Sequence, residues 1–249
     1  MKNRSLAAPF LKRITLVPEQ VEGGVFPFDT LPFLRGGTFA LEMSAPVTIL
    51  VGENGSGKST LVEAVAAAAG FPSLGGSQDH RLGQDRGPSR LAGALRLSWL
   101  PKVSNGFFFR AESFFHLAGY IDDVADLDNY GGRAMHRQSH GESFLALFQN
   151  RLGGGMRAVY LLDEPEVALS PTRQLAFLRI LRQWQAGGRV QAIIATHSPI
   201  LMALPGAALL SLDGGAVHPV RLDETEHYRV TRAFLADPAK ALRELFRDE

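Results

Sequence analysis

The chain has no cysteine among its 249 residues. Disulfide bonds, thiolate zinc sites and cysteine nucleophiles are therefore excluded, which agrees with a reducing compartment. Long apolar runs are also missing. No stretch approaches the roughly 18 apolar residues of a membrane span, and the first residues, MKNRSLAAPF, lack the apolar segment of a secretory signal. We therefore expect a cytoplasmic protein that does not insert directly into a membrane.

Charge of either sign is not in excess, since 26 basic and 25 acidic residues leave a net charge of +1. This balance argues against a strongly basic nucleic-acid-binding protein. A local basic face is still a hypothesis, with solvated loop charges as the alternative; it would consist of Arg81, Arg86, Arg90, Arg133 and Arg137. The length predicts a single domain over residues 1–249. Composition without periodicity, rich in Gly, Ser, Asp, Arg and Pro, begins after residue 70 and predicts a helical and loop insertion at about 71–150.

The most informative stretch is GENGSGKST, which matches G-x-x-x-x-G-K-[ST] at every fixed position. It lies between a buried strand predicted at 47–51 and a helix predicted at 61–69. Its glycines let successive N–H groups converge on phosphate oxygens at the helix N-terminus. The residues predicted to bind the nucleotide phosphates are Gly52, Glu53, Asn54, Gly55, Ser56, Gly57, Lys58, Ser59 and Thr60.

Three side chains of this phosphate loop have individual predicted roles. Lys58 reaches the β- and γ-phosphates, Ser59 gives its hydroxyl to Mg²⁺, and Thr60 lies on the side of the α-phosphate.

Two further apolar runs end in polar residues suited to phosphate chemistry. The run 158–162 is followed by Asp163 and Glu164, and the run 190–196 by His197. Because the carboxyl ends of parallel strands line the ligand crevice, we expect all three side chains beside the phosphate loop. Asp163 would hold Mg²⁺ through its water shell, Glu164 would polarise the attacking water, and His197 would donate to the γ-phosphate or the water.

A helix tip at Ser139 to Gly141 is a further candidate anion site. Helical spacing of the apolar residues Leu145, Phe148 and Leu152 follows it. The alternative interpretation is a plain helix cap, in which Ser139 and Glu142 form a capping box.

The remaining patterns predict elements around this centre. We expect an N-terminal antiparallel sheet, a hairpin of 95–100 with 107–109, a helix from Ser170-Pro171, a hairpin of 207–212 with 216–222, and a helical tail at 223–249. The sheet would contain strands at 12–17 and 38–44. A phenylalanine near the N-terminus is a candidate for stacking on a nucleotide base, although such residues more often lie in the core; the candidates are Phe10, Phe26 and Phe28.

Four motifs in this order resemble the ATP-binding cassette (ABC) ATPase family: GENGSGKST as Walker A, SHGES as the signature, VYLLDEP as Walker B and THSP as the switch histidine. The match spans about 47–199, and residues 168–171 stand where that family has its D-loop. The resemblance implies an α/β P-loop NTPase fold in three layers. It would have a mostly parallel core sheet, an N-terminal antiparallel β subdomain and a small helical region that carries the signature.

The resemblance also implies ATP and Mg²⁺ as cofactors and a homodimer in the ATP-bound state. Lys58, Glu164 as general base and His197 as γ-phosphate sensor would be the catalytic residues. Ser139 and Gly141 would bind the γ-phosphate of the ATP held by the second subunit.

Two positions depart from the family pattern. The usual signature is Leu-Ser-Gly-Gly-Gln, but this chain has His140 and Glu142 in place of one glycine and the glutamine. The family's metal-contacting Q-loop glutamine also has no clear counterpart. Glu112, at the end of the corresponding strand, is the candidate for that role.

The altered pattern looks more like the stand-alone ATPases related to SMC-like heads than like a transporter subunit, although no coiled-coil segment is present. The leading hypothesis is therefore a cytoplasmic ATPase that acts on an unidentified protein partner. The second is the ATP-hydrolysing subunit of a membrane transporter, with 107–128 as the docking segment for a permease. The third is a nucleic-acid-handling ATPase that uses the arginines named above.

Overall fold

The computed structural model describes residues 6–72, 75–76, 89–113, 140–151 and 155–247. Its strands are β1 (Leu11–Leu16), β2 (Ala40–Glu42), β3 (Val47–Val51), β4 (Leu95–Trp99), β5 (Gly106–Arg110), β6 (Ala158–Asp163), β7 (Val190–Ala195), β8 (Ala208–Ser211) and β9 (His218–Pro219). Its α-helices are α1 (Lys58–Ala69), α2 (Arg90–Ala94), α3 (His140–Ala146), α4 (Pro171–Gly187), α5 (Pro199–Met202), α6 (Glu226–Ala236) and α7 (Pro238–Leu245). A π-helix, Leu147–Arg151, continues α3.

The larger sheet has the strand order β5-β6-β7-β3-β8-β9, and every neighbouring pair is parallel except β8 and β9. Every residue of β3, β6 and β7 is buried. Strands buried along their whole length need cover on both faces of the sheet, which explains their continuous apolar runs. Helix α1 covers one face, and α3 and α4 cover the other. This is the predicted three-layer α/β fold.

The smaller sheet is antiparallel, with the order β2-β1-β4, and packs on the far side of α1. A buried side chain of the large sheet joins it to the core. The Gln191 carbonyl oxygen accepts hydrogen bonds from the backbone nitrogens of Phe10 at 2.7 Å and Leu11 at 2.8 Å, and its amide donates to the Leu11 oxygen at 3.0 Å. The amide therefore pairs backbone groups that burial would otherwise leave unsatisfied.

The predicted hairpin of 95–100 with 107–109 is wrong. β4 pairs with β1 in the small sheet, whereas β5 pairs with β6 in the large one. The burial pattern of each strand explains why they belong to different sheets. Buried and more exposed residues alternate along β4, whereas Phe107, Phe108 and Phe109 of β5 are all buried. A strand that is apolar on both faces belongs inside a covered parallel sheet.

The other predicted elements are found. β1 and β2 form the N-terminal antiparallel pair, β8 and β9 form the late hairpin, and α6 and α7 form the helical tail. Half of the predicted insertion at 71–150 lies outside the described residues, and the described half includes β4 and β5. No helix in the described part of the chain is long and apolar enough to cross a membrane.

Candidate functional site

The site lies where three neighbouring strands end at the same level. In the register of the sheet, Ala195 at the end of β7 is aligned with Asp163 of β6 on one side and with Leu50 of β3 on the other. The acidic pair after β6, His197 after β7 and the phosphate loop after β3 therefore lie together at the carboxyl edge of the sheet, as predicted.

Close packing fixes the glycines of the phosphate loop. Gly57 caps α1 with a φ of 94°, and a Cβ atom there would lie 2.8 Å from a Leu31 methyl and 2.9 Å from the Phe33 ring. Gly52 has a φ of 146°, and its Cβ would lie 2.9 Å from an Asp213 oxygen. Only glycine combines these backbone angles with so close an approach.

The Lys58 ammonium lies in the middle of the loop. It donates to the backbone oxygens of Gly52 at 2.7 Å and Glu53 at 3.0 Å, and the residue is 4% exposed. Burial lowers the pKa of this ammonium, opposed chiefly by the charge of Asp213. A buried cation surrounded by loop backbone attracts an anion much more strongly than an exposed one does.

Asp213, in the turn after β8, supports the loop from the side. Its Oδ1 accepts a hydrogen bond from the Glu53 nitrogen at 2.9 Å, and its Oδ2 accepts one from the Ser211 hydroxyl at 3.2 Å. From the sequence, Asp213 is expected only in the turn of the predicted hairpin of 207–212 with 216–222. Its position directly after a strand could have indicated its place in the site. β8 runs parallel to β3 with Ser211 opposite Val51, so a residue just after β8 lies beside the loop that follows β3.

Asp163 and Ser59 form a pair suited to a hard cation. Burial raises the pKa of the Asp163 carboxyl to about 6, and the neighbouring Ser59 hydroxyl partly opposes this rise. The Asp163 Oδ1 is buried and has no hydrogen-bond partner in the described part of the chain. A hydroxyl and an unsatisfied carboxylate oxygen are ligands of the type that Mg²⁺ takes, so these residues fit a bound Mg²⁺ ion.

Glu112, the other predicted metal ligand, lies at the rim of the site. Its side chain is 84% exposed and pairs with the Arg110 guanidinium at 3.1 Å. Arg110 also pairs with Glu63 at 3.4 Å, and its Cα is in register with that of Asp163. The charge of Arg110 partly opposes the burial that raises the Asp163 pKa. Arg110 is thus a cation of the site that the sequence analysis did not predict.

Glu164 has the backbone conformation of a left-handed turn. With a φ of 51° it is the one non-glycine residue with positive φ in the described ranges, and its nitrogen donates to the Ala195 oxygen at 3.0 Å. The conformation costs about 1–2 kcal/mol for a residue with a side chain. Its Oε1 lies 3.7 Å from Nε2 of His197. Both groups predicted to act on the attacking water are therefore neighbours.

His197 is held from two directions. Its backbone nitrogen donates to Glu166 Oε1 at 2.6 Å, and its Nδ1 lies 2.8 Å from Nε2 of His227. Burial lowers the pKa of its imidazole, and the charge of Lys58 lowers it further. The neutral ring is therefore the form favoured at pH 7. Neither Glu166 nor His227 was predicted as part of the site.

The signature segment is described only in part. α3 begins at His140, so Gly141 lies in its first turn, whereas Ser139 lies outside the described residues. Glu142 forms an ion pair with Arg173 of α4 at 3.0 Å. The buried faces of α3 and its π-helix contribute Phe144 and Phe148 to an aromatic cluster. The cluster consists of Phe107, Phe109, Phe144, Phe148, Tyr160, Phe177 and Trp184.

Two further predictions concern the arginines of the hypothetical basic face and the phenylalanines proposed to stack on a nucleotide base. Arg90 pairs with Glu22 at 2.6 Å, and the other four arginines of the hypothetical basic face lie outside the described residues. Phe10 and Phe28 are buried in the hydrophobic core, whereas Phe26 is 58% exposed. Of the three candidates for base stacking, only Phe26 therefore presents a ring at the surface.

Two family models match parts of the chain. One, described as "AAA domain, putative AbiEii toxin, Type IV TA system", matches residues 143–203, and another, described as "AAA domain", matches residues 28–95. Among solved structures, CbiO1 of Clostridium perfringens, part of the ABC transporter complex cbiONQ, is similar with a TM-score of 0.50 and 15% identity. The similarity covers 92% of this chain and 96% of CbiO1. At that identity the likeness concerns the fold.

Two proteins of known family are similar in sequence. The chain is 33% identical over 194 residues to the cytochrome c biogenesis ATP-binding export protein CcmA of Rhodopseudomonas palustris (strain BisB5), across 74% of this chain and 90% of CcmA. It is 34% identical over 177 residues to the hemin import ATP-binding protein HmuV of Ruegeria sp. (strain TM1040), across 62% of this chain and 66% of HmuV. Since a third of the residues agree over almost the whole of CcmA, this chain belongs to the ATP-binding cassette family of P-loop ATPases and is an ATP hydrolase.

Proposed function

We propose that the protein is a magnesium-dependent ATPase of the cytoplasm that dimerises around two ATP molecules and couples hydrolysis to a protein partner. The observation that carries this proposal is that the carboxyl ends of β3, β6 and β7 are aligned in the sheet. This alignment places the phosphate loop, an acidic pair and a histidine at one edge of the sheet. A nucleotide held by that loop meets positive charge at its phosphates and proton-accepting groups beyond them.

The phosphate loop, residues 52–60, supplies converging backbone N–H groups, and Lys58 supplies the charge for the β- and γ-phosphates. The position of its ammonium, in hydrogen-bond contact with two loop carbonyls, supports this role. Mg²⁺, when bound, neutralises phosphate charge. Ser59 and Asp163 would hold it, supported by the unsatisfied Asp163 oxygen, and Glu112 is a further ligand only by the family resemblance.

Glu164 and His197 are proposed to act on the attacking water and the γ-phosphate. Their side chains approach to 3.7 Å, so one water or one phosphate oxygen can contact both. A carboxylate accepts a proton from water, and a neutral imidazole with hydrogen on Nε2 donates to phosphate. The lowered pKa of His197 supports that division of roles.

Dimerisation is proposed from the signature segment. In the ATP-bound dimer, Ser139 and Gly141 of one subunit would contact the γ-phosphate held by the other. The ion pair of Glu142 with Arg173 supports a coupled movement, because it joins α3 to the first turn of α4, directly after residues 168–171. A change at the D-loop position is therefore transmitted to the signature helix.

The transporter subunit is the second candidate, and one observation favours it. CcmA is named as an export protein and HmuV as an import protein, and both are named as ATP-binding. These names support an ATP-hydrolysing subunit that works with a permease as well as they support a stand-alone ATPase. Affinity purification of the tagged protein from cross-linked membranes separates the two, because a permease is recovered only in the transporter case.

The enzymatic proposal is tested by measuring ATP turnover of the full chain with and without Mg²⁺. We expect turnover only with Mg²⁺, and loss of ATP binding in Lys58→Ala by calorimetry. Lys102→Ala is the matched control, since Lys102 is exposed and precedes the amino-terminal end of β5, whereas the site lies at the carboxyl ends of the strands. Unchanged ATP affinity in Lys58→Ala would overturn the assignment of the phosphate loop.

A further inference from the structure

His197, the histidine at the switch position, contacts His227 on helix α6, which carries none of the four motifs. His227 is the second residue of α6, and its Nε2 lies 2.8 Å from Nδ1 of His197. The two ring centroids are 4.9 Å apart. The contact joins the carboxyl end of β7 to the C-terminal helices, 30 residues further along the chain.

Both sides of this contact are fixed. The first turn of α6 follows Thr225, which is 5% exposed and whose hydroxyl donates to the Leu222 oxygen at 2.8 Å. On the other side, Glu166 holds the backbone of His197, and the Ser198 hydroxyl donates to the buried Gln174 oxygen at 2.5 Å. Because the backbone on each side is held, the two rings form their contact at little further entropic cost.

The 2.8 Å separation requires one N–H donor and one lone pair. The other nitrogen of His197, Nε2, lies 3.7 Å from Oε1 of Glu164, beyond hydrogen-bond distance but near enough for the acceptor oxygen to favour an N–H over a lone pair there. In the neutral ring with hydrogen on Nε2, Nδ1 is the acceptor. The proton between the rings then belongs to Nε2 of His227. The titratable groups whose charge acts on His197 are Lys58, His227, Glu164 and Glu53, and Glu166 accepts from its backbone nitrogen.

We propose that His227 is a positioning residue for ATP hydrolysis: it donates from Nε2 to Nδ1 of His197 and holds that ring in the tautomer whose Nε2–H points toward Glu164. The inference rests on the proposed function, in which His197 donates to the γ-phosphate. It adds the requirement that the hydrogen of the neutral His197 ring stay on Nε2. Without a partner that fixes the tautomer, the hydrogen moves to Nδ1 for part of the time, and Nε2 then presents a lone pair. A ring in that state repels the phosphate oxygen it should bind.

Three substitutions of His227 separate positioning from packing. Gln places an amide N–H near the position of the lost Nε2, Asn is equally polar but shorter, and Ala removes the donor. We expect His227→Ala and His227→Asn to lower kcat about 10- to 100-fold with KM for ATP changed less than about twofold, and His227→Gln to recover most of the rate. Arg232→Ala, which removes an exposed side chain from the same helix α6, should leave both constants unchanged.

A spectroscopic measurement tests the tautomer without turnover. Ring ¹⁵N NMR of the histidine-labelled, nucleotide-free protein should show His197, assigned by its absence in His197→Gln, with hydrogen on Nε2. In His227→Ala the same signals should move to the average of two tautomers. An unchanged His197 tautomer in His227→Ala overturns the proposal, and so does equal kcat in the Gln and Ala variants.

The outcomes distinguish this inference from the proposed function. If the wild-type protein does not hydrolyse ATP with Mg²⁺, or His197→Ala turns over normally, the proposed role of His197 fails. If His197→Ala is slow and His227→Ala is as fast as wild type, the role of His197 stands and that of His227 fails. Thermal unfolding midpoints within a few degrees of wild type establish that the variants are folded.

Discussion

Asp213 accepts a hydrogen bond at 2.9 Å from the backbone nitrogen of Glu53, so that a turn 160 residues downstream holds the phosphate loop. The same carboxylate is the charge that most strongly opposes the burial-induced lowering of the Lys58 pKa. One side chain therefore sets both the shape of the loop and the protonation of its lysine.

Asp213→Ala should weaken ATP binding about tenfold, because it removes a charge-assisted hydrogen bond worth roughly 1.5 kcal/mol. Asp213→Asn keeps an acceptor for the Glu53 nitrogen and should lose less. Calorimetric titration with ATP measures both variants. Asp223→Ala is the control, since Asp223 is an exposed acid paired with Arg221. Equal affinities of wild type and Asp213→Ala would show that the loop holds its shape without this contact.

Glu164→Gln should bind ATP normally but hydrolyse it roughly 10²–10⁴-fold more slowly, since a positioned base contributes that much. Nearly isosteric substitution preserves the turn at a φ of 51°. Single-turnover hydrolysis separates the chemical step from ATP binding. A near wild-type rate would move the base to another residue, with His197 the next candidate.

Asp163→Asn should make the nucleotide-free, metal-free protein more stable at pH 7.5. The folded-state pKa of Asp163 is about 6 and the reference value is 3.8. The stability from this raised pKa is therefore fully present below pH 3.8 and is lost as the pH rises through about 6. At pH 7.5 the ionised, buried carboxylate destabilises the fold, and the amide removes that cost.

The advantage of Asp163→Asn over wild type should shrink by about 1 kcal/mol between pH 7.5 and pH 5, where the wild-type carboxyl regains its proton. Denaturant unfolding at the two pH values measures it. Asp29→Asn makes the same substitution at an exposed position and is the control for the change of side chain itself. A constant difference between Asp163→Asn and wild type would mean that the carboxyl is already ionised without penalty.

The dimer should form only with ATP. Two phosphate loops and two signature helix tips repel each other until γ-phosphates lie between them. Glu164→Gln, which retains its ATP, should therefore be dimeric with ATP and monomeric with ADP in light scattering. Adding Ser139→Arg should abolish the dimer by placing a bulky cation at the tip. If Glu164→Gln stays monomeric at saturating ATP and Mg²⁺, the segment SHGES is a helix cap and nothing more.

The core of the fold and the main site residues were predictable because their signals are local. β3, β6 and β7 are buried on both faces, so each is a continuous apolar run, and the residues that follow each run mark its carboxyl end. Asp163 and His197 follow directly from these strand ends. Their meeting beside the phosphate loop requires only that the strands be parallel neighbours.

The contributions of Asp213, Arg110 and His227 were not predictable in the same way. Each depends on which strand or helix lies next to the phosphate loop, and strand order is a long-range property of the chain. The incorrect hairpin of β4 with β5 has the same origin. The sequence pattern of two apolar stretches with a turn between them is the same whether the two strands pair with each other or belong to different sheets, as β4 and β5 do.

The aromatic cluster beneath α3 contains a natural fluorophore. The Trp184 indole lies with its ring centroid 5.7 Å from that of Phe148, in the π-helix that continues α3, and 4.6 Å from that of Tyr160. The chain has two tryptophans, and the other, Trp99, belongs to β4 in the separate antiparallel sheet. In a Trp99→Phe background, the emission of the unlabelled protein therefore comes from Trp184 alone, and a change in that emission on nucleotide binding would reveal the proposed displacement of the signature helix without any attached dye.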